Sequence, residues 1–207
     1  MANRRQALLD AAIRVLGERG TRALTHRAVD AEAGVPAGSA SNYFPTRESL
    51  LEAMVDHLSD LEREHFDEIA AAVCPATAAE LARAVAEFAR DSAGPHRVLT
   101  LARYAILVEA GHNEQIRRQL ADTGSRVNVW FANWLRLIGS GDPDYDVHVL
   151  GNYITGLILH QLAIPDPQFY PAGEISVLLE SLVRPGRALA RTSAADGLTR
   201  PARRSSS

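Results

Sequence analysis

The chain has no lysine. All 22 of its basic residues are arginine, and alongside so much alanine this points to a GC-rich genome rather than to a functional choice. There is one cysteine, Cys74, so no intrachain disulfide can form. It stands just before Pro75 at an expected helix end. No basic neighbour is placed to activate its thiol, so it reads as an ordinary small residue rather than a redox or metal site. No apolar run approaches the roughly 20 residues of a membrane helix. Met1-Ala2-Asn3-Arg4-Arg5 leads directly into an amphipathic pattern, without the apolar region of a signal peptide. A cytoplasmic protein with no membrane partner is expected. His57, His65, His96, His112, His148 and His160 are scattered, without ligand spacing. No Ser-His-Asp or Cys-His grouping and no glycine-rich phosphate loop is recognisable. An enzyme, a metal site and a cofactor are therefore not expected. Period-2 strands and solenoid repeats are also missing from the pattern.

What is present is helical period. The 207 residues suffice for a sizeable core in one large domain or two small ones. Net charge is -3, but its distribution is uneven: residues 1–50 carry seven Arg against five acids, and the remainder fifteen Arg against twenty. Apolar stripes separated by Gly, Pro and polar breaks predict about nine helices, over residues 3–19, 25–33, 36–43, 46–72, 78–92, 96–110, 114–138, 144–163 and 173–183. Gly20 stops the first helix, Thr25 and Thr46 are N-cap residues, and Pro36 can open the third helix from its first turn. The expected fold is all-α. Residues 191–207 are polar, small and unpatterned, and are read as a disordered tail.

The second and third helices have the design of a helix-turn-helix packed on the first. Gly34 supplies the turn, where positive φ is needed. Ala28, Val29, Ala33, Val35 and Ala40 allow a close helix crossing. Ala37, Gly38, Ser39, Ser41 and Asn42 then offer a short, unobstructed polar face of the kind that reads base edges in the major groove.

The run from Arg5 to Leu58 resembles the TetR family of bacterial regulators. The resemblance is carried by Leu24-Thr25-His26-Arg27-Ala28-Val29, by Ala33-Gly34-Val35, and by Asn42-Tyr43-Phe44-Pro45-Thr46-Arg47-Glu48-Ser49-Leu50. Two positions depart from the family pattern. Asp30 stands where a small residue is usual, and is expected to face solvent or to pair with a nearby Arg. Ser41 stands where a tyrosine is usual, so base contacts cannot be copied from relatives. Phe44 is expected in the core and Tyr43 on the DNA side against a phosphate. Arg47, one residue inside the fourth helix, is expected to strengthen phosphate binding at that helix N-terminus. Thr25 reads as cap and phosphate contact. His26 and Arg27 are open between DNA contact and plain surface, and Arg4 and Arg5 between a basic arm and a frayed end.

The resemblance implies a division into a DNA-binding unit (1–46), a connecting helix (47–72) and a ligand-binding and dimerisation unit (73–190). It places a dimer contact on the helices 144–163 and 173–183. The first of these is apolar over more than one face: Tyr153, Gly156, Leu157 and His160 form a second face beside the core stripe. It also places a ligand among the helices between 78 and 163. The expected wall is Leu101, Tyr104, Ala105, Val108, Val127, Trp130, Phe131 and Trp134, with Asn128, Asn152 and His160 to orient the ligand. An aromatic stripe at helical spacing serves a plain core equally well. The lining suits a hydrophobic or aromatic, weakly charged effector. The expected partners are thus double-stranded DNA, a small-molecule effector and a second copy of the chain. The expected function is a ligand-released repressor on a palindromic operator. The alternative is a constitutive architectural DNA-binding protein without an effector.

Overall fold

The computed structural model describes residues 4–183, apart from the side chains of 66, 70–72 and 123–127. The tail expected at 191–207 lies outside the described residues. The described residues form nine α-helices and one short 3-10 turn, and contain no strand. They are α1 (Arg4–Arg19), α2 (His26–Glu32), α3 (Ser39–Tyr43), α4 (Arg47–Ala72), α5 (Ala78–Ala93), α6 (Arg97–Ala110), α7 (Glu114–Leu137), α8 (Pro143–Ala163) and α9 (Ala172–Leu182). No helix among them is long and apolar enough to cross a membrane.

Local chemistry sets most boundaries. The Thr25 hydroxyl accepts the Ala28 N–H and opens α2. At α4 the caps are reciprocal: the Thr46 hydroxyl accepts the Ser49 N–H at 3.0 Å, and the Ser49 hydroxyl oxygen accepts the Thr46 N–H at 3.1 Å. This capping box satisfies two N–H groups that have no partner within the helix. The third helix begins three residues later than expected, at Ser39 rather than Pro36. Gly38 sits in the left-handed region at φ 91°, so a continuous right-handed helix cannot run through it. The 3-10 turn Thr21–Ala23 between α1 and α2 was not signalled by the periodicity.

Two cores fill the molecule. In the first, Leu8, Leu9, Ala12 and Leu16 of α1 meet Val29, Ala40, Phe44, the Leu50–Leu58 stripe of α4, and Ala102, Ile106 and Ala110 of α6. In the second, α5, the C-terminal half of α7, α8 and α9 pack around Leu81, Val85, Leu135, Leu150, Ile154 and Leu179. The first core continues past residue 46 into α4 and is completed by α6. The closest approach is at Gly17 of α1, where a Cβ would lie 2.1 Å from the Val98 carbonyl oxygen of α6. Helix α4 passes from the first core towards the second. Its 26 residues span about 39 Å at 1.5 Å per residue.

Candidate DNA-binding face and ligand cavity

The α2–α3 pair is fixed by an unexpected residue. Asp30 neither faces solvent nor pairs with an arginine; it is 3% exposed. Its two carboxylate oxygens accept the N–H groups of Gly38 and Ala40, each at 2.7 Å. The N-terminus of α3 has free N–H groups and a partial positive charge, and the carboxylate answers both. The larger side chain is therefore accommodated as an internal cap. On the outer side of the pair, Arg14 and Arg19 of α1 both reach Glu32 of α2, at 3.0 and 2.7 Å.

Most of the predicted DNA-facing residues are accessible on and around α2 and α3. Thr25, Arg27, Ala37, Gly38, Ser41, Asn42 and Tyr43 are exposed, while His26 and Ser39 are half-buried. The Ser39 hydroxyl donates to the Pro36 carbonyl at 2.6 Å and the Ser41 hydroxyl to that of Gly38 at 3.0 Å. Their remaining capacity towards a base edge is as acceptors. The Asn42 side chain has no hydrogen-bond partner among the described residues. Tyr43 points outward while Phe44, its neighbour, is 2% exposed, with the Arg5 guanidinium 5.3 Å from its ring centre. Arg47 is not a free cation at the head of α4: it lies 3.5 Å from Glu109 near the end of α6.

A cavity of about 360 Å³ opens between the two cores, walled by α4 to α8. One wall is polar. Helix α4 contributes Ser59, Glu62 and His65, and the α6 segment contributes His96, Thr100, Arg103 and Tyr104. Arg103 donates to Glu62 at 2.6 Å, and that carboxylate raises the guanidinium's pKa against the opposing effect of burial. The Tyr104 hydroxyl donates to the Thr155 carbonyl at 3.0 Å, and burial pushes its pKa up to about 12. The His65 and His96 rings lie 4.6 Å apart, centre to centre, and His65 is 6.0 Å from Phe88. Burial, then the His96 charge, lowers the pKa of His65, with Asp91, Glu68 and Glu62 acting in the opposite direction. The rest of the lining is mostly apolar, with Phe88, Phe131, Val147, Ile154 and Ile158, interrupted by Asn128, His148 and Asn152.

Of the residues expected at a ligand, Tyr104, Asn128, Phe131 and Asn152 line this cavity. Leu101 and Ala105 pack into the two cores. Val108 is 70% exposed, and Trp130 and His160 are also exposed, all outside the lining. Trp134 is buried one layer behind, edge-on to Phe131 at 5.7 Å. The Val127 side chain lies outside the described residues. The cavity face of α6 runs through His96, Thr100, Arg103 and Leu107, spaced so that they share one side of a helix. Residues 101, 105 and 108 lie on its other sides. Glu62, His65, His96 and Arg103 were not anticipated. The available signal was Arg103 standing as the one charged residue in the run from Val98 to Val108.

Two family models match the chain. "Bacterial regulatory proteins, tetR family" matches residues 8–54, which hold the α1–α3 unit and the start of α4. "Tetracyclin repressor-like, C-terminal domain" matches residues 76–185, which hold α5 to α9. The chain belongs to the TetR family. It is thus a DNA-binding transcriptional regulator. Among curated relatives of this TetR-family chain, the HTH-type transcriptional regulator BetI of Rhizobium meliloti is 38% identical over 161 residues, 76% of this chain and 77% of the relative. The nucleoid occlusion factor SlmA of Pasteurella multocida is 28% identical over 167 residues, 76% of this chain and 79% of the relative. Among solved structures, the multidrug binding protein EbrR complexed with ethidium superimposes with a TM-score of 0.67 and 28% identity, covering 88% of this chain and 99% of that one. A transcriptional regulator from Rhodococcus sp. Rha1 shares the fold at a TM-score of 0.72 and 19% identity, over 86% and 94% of the two chains.

Proposed function

We propose that this TetR-family regulator is a homodimeric, cytoplasmic repressor, and that a small molecule in the α4–α8 cavity releases it from a palindromic operator. The observation that carries the reading is the course of α4. The helix begins with Arg47 beside the recognition unit and, four turns on, supplies Ser59, Glu62 and His65 to the cavity wall. Any ligand that favours a different setting of α4 must shift the recognition helix by the same rigid element, to the extent of its differential affinity for the two states. Similarity to EbrR, whose structures hold ethidium and other compounds, supports a cavity of this kind as an effector site.

Thr25, Arg27, Tyr43 and Arg47 would hold phosphates, and Ser39, Ser41 and Asn42 would meet base edges with Ala37 and Gly38 leaving room. A second copy would dock on α8 and α9, where Leu159 is 50% and Val177 69% exposed. At Gly156 and Gly173 an added Cβ would meet nothing, leaving room for close helix approach. A twofold dimer presents two recognition helices about one turn of DNA apart. SlmA's similarity favours the alternative of an architectural binder without an effector; the cavity and the higher identity to BetI favour the regulator. A genome-fragment binding selection separates the two. Protection of one short palindrome by a dimer, lost on adding a compound that occupies the cavity, is the expected result. Weak binding at many unrelated sites, unchanged by every cavity-binding compound, would overturn it.

A further inference from the structure

The cavity's charges are unequally committed. Glu62 and Arg103 form an ion pair along its polar wall, and their side chains are 17% and 38% exposed, so the Arg103 side chain is the more accessible of the two. Arg103 spends a single hydrogen bond on Glu62, and its other N–H groups have no partner among the described residues. A guanidinium carries five N–H donors in a planar fork matched to carboxylate geometry. Among the described residues the lining holds one acid, Glu62, against this permanent cation and three imidazoles, those of His65, His96 and His148. The same lining holds Phe88, Phe131 and Ile158, able to cover a flat apolar body but not a second charge. The volume of about 360 Å³ is near the lower end of the roughly 300–1,000 Å³ of small-molecule sites.

We infer that the effector is an aromatic carboxylate, seated with its carboxylate on the unspent edge of Arg103 and its ring against Phe88 and Phe131. The inference rests on the cavity being the effector site. It also gives that site a means of moving α4. Arg103 stands on α6 and Glu62 on α4, so an incoming carboxylate competes with Glu62 for one guanidinium and loosens the ion pair that ties the two helices together along the polar wall. A cation would do the reverse, competing with Arg103 for Glu62. Burial, then the His96 charge, lowers the pKa of His65, against Asp91, Glu68 and Glu62; an added anion beside it favours proton uptake there, which offsets part of the added charge.

Three probes of similar size test the assignment by calorimetry on the full chain: 2-naphthoate, 2-naphthamide and 2-naphthylmethylammonium. The expected order has 2-naphthoate binding at least about tenfold more tightly than either analogue, the scale of one charge-assisted interaction. Arg103→Gln should remove that preference while leaving 2-naphthamide binding in place. Glu62→Gln should tighten 2-naphthoate, because the competing carboxylate is gone. If Arg103→Gln loses its helix content, Glu62→Gln decides alone, and unchanged or weaker naphthoate binding by that variant overturns the proposal. Tighter binding of the ammonium probe, lost in Glu62→Gln, overturns it in favour of a cation site. Failure of all three probes to bind overturns it as well, whereas the regulator reading is judged separately by operator binding. Naphthoate binding that depends on Arg103 but leaves the operator complex intact would support the carboxylate site and sink the release mechanism.

Discussion

The Asp30 carboxylate receives the Ala40 backbone N–H at 2.7 Å from ten residues upstream. It thereby joins the supporting helix of the DNA-binding unit to the first turn of the recognition helix. Helix α3 has only five residues and could not persist alone, so its position depends on this bond and its companion to Gly38. Asp30→Ala leaves two N–H groups facing a buried space. It should lower unfolding free energy by about 2–3 kcal/mol and weaken binding to all DNA sequences. Urea denaturation and a gel-shift titration measure the two effects. Unchanged stability would mean that water replaces the carboxylate without penalty.

Gly17→Ala should destabilise the protein even though alanine favours helix. The propensity gain is about 1 kcal/mol, but the new Cβ would lie 2.1 Å from the Val98 carbonyl oxygen. Backbone atoms cannot rotate away as a side chain can, so α1 and α6 must separate. A net loss of about 1–3 kcal/mol is expected from overpacking of this kind, and a lower melting temperature would register it. Gly20→Ala is a contrasting case: nothing lies near its Cβ, and the strain comes from φ 78° alone.

His65 makes stability depend on pH. Its folded pKa is lowered, first by burial and then by His96, so the unfolded chain binds more protons as pH falls below about 6.5. Stability should be fully present above that value and decline as pH falls through the lowered folded pKa. His65→Gln should flatten the slope over that window. Asp91, Glu68 and Glu62 oppose the shift, so replacing any of them by its amide should steepen the decline. Melting temperatures at a series of pH values from neutral to mildly acidic distinguish the variants.

Arg47 and Asn42 should fail in different ways. Arg47→Ala should weaken binding to every DNA sequence alike and reduce the salt slope by about 1. Its ion pair with Glu109 is half-exposed, so stability should change by no more than about 1 kcal/mol. Glu109→Gln frees the guanidinium and should tighten DNA binding modestly. Asn42→Ala should instead change sequence preference, by about 1–3 kcal/mol at the contacted base. Operator variants titrated at several salt concentrations separate a phosphate role from a base-reading role.

Much of this protein is written locally in its sequence. The stops and starts at Thr25, Gly34 and Thr46 depend on groups within three or four residues of each other, and all appear where the composition places them. That Tyr43 and Phe44 cannot share one face follows from their adjacency, and Phe44 is the one that turns inward. The all-α fold and the family were legible for the same reason. What the tertiary structure alone decided is which side of each helix meets which neighbour. Asp30 looked like a surface acid because its partners lie eight and ten residues ahead, across a turn. Helix α6 is apolar on most sides, so periodicity could not say whether Leu101, Ala105 and Val108 or His96, Thr100 and Arg103 would face the cavity. Its rotation is set by the contact of Val98 with Gly17 and by Ala102 and Ile106 entering the first core. Once those are fixed, Arg103 has to turn towards Glu62, because a helix offers its side chains to space as one rigid set.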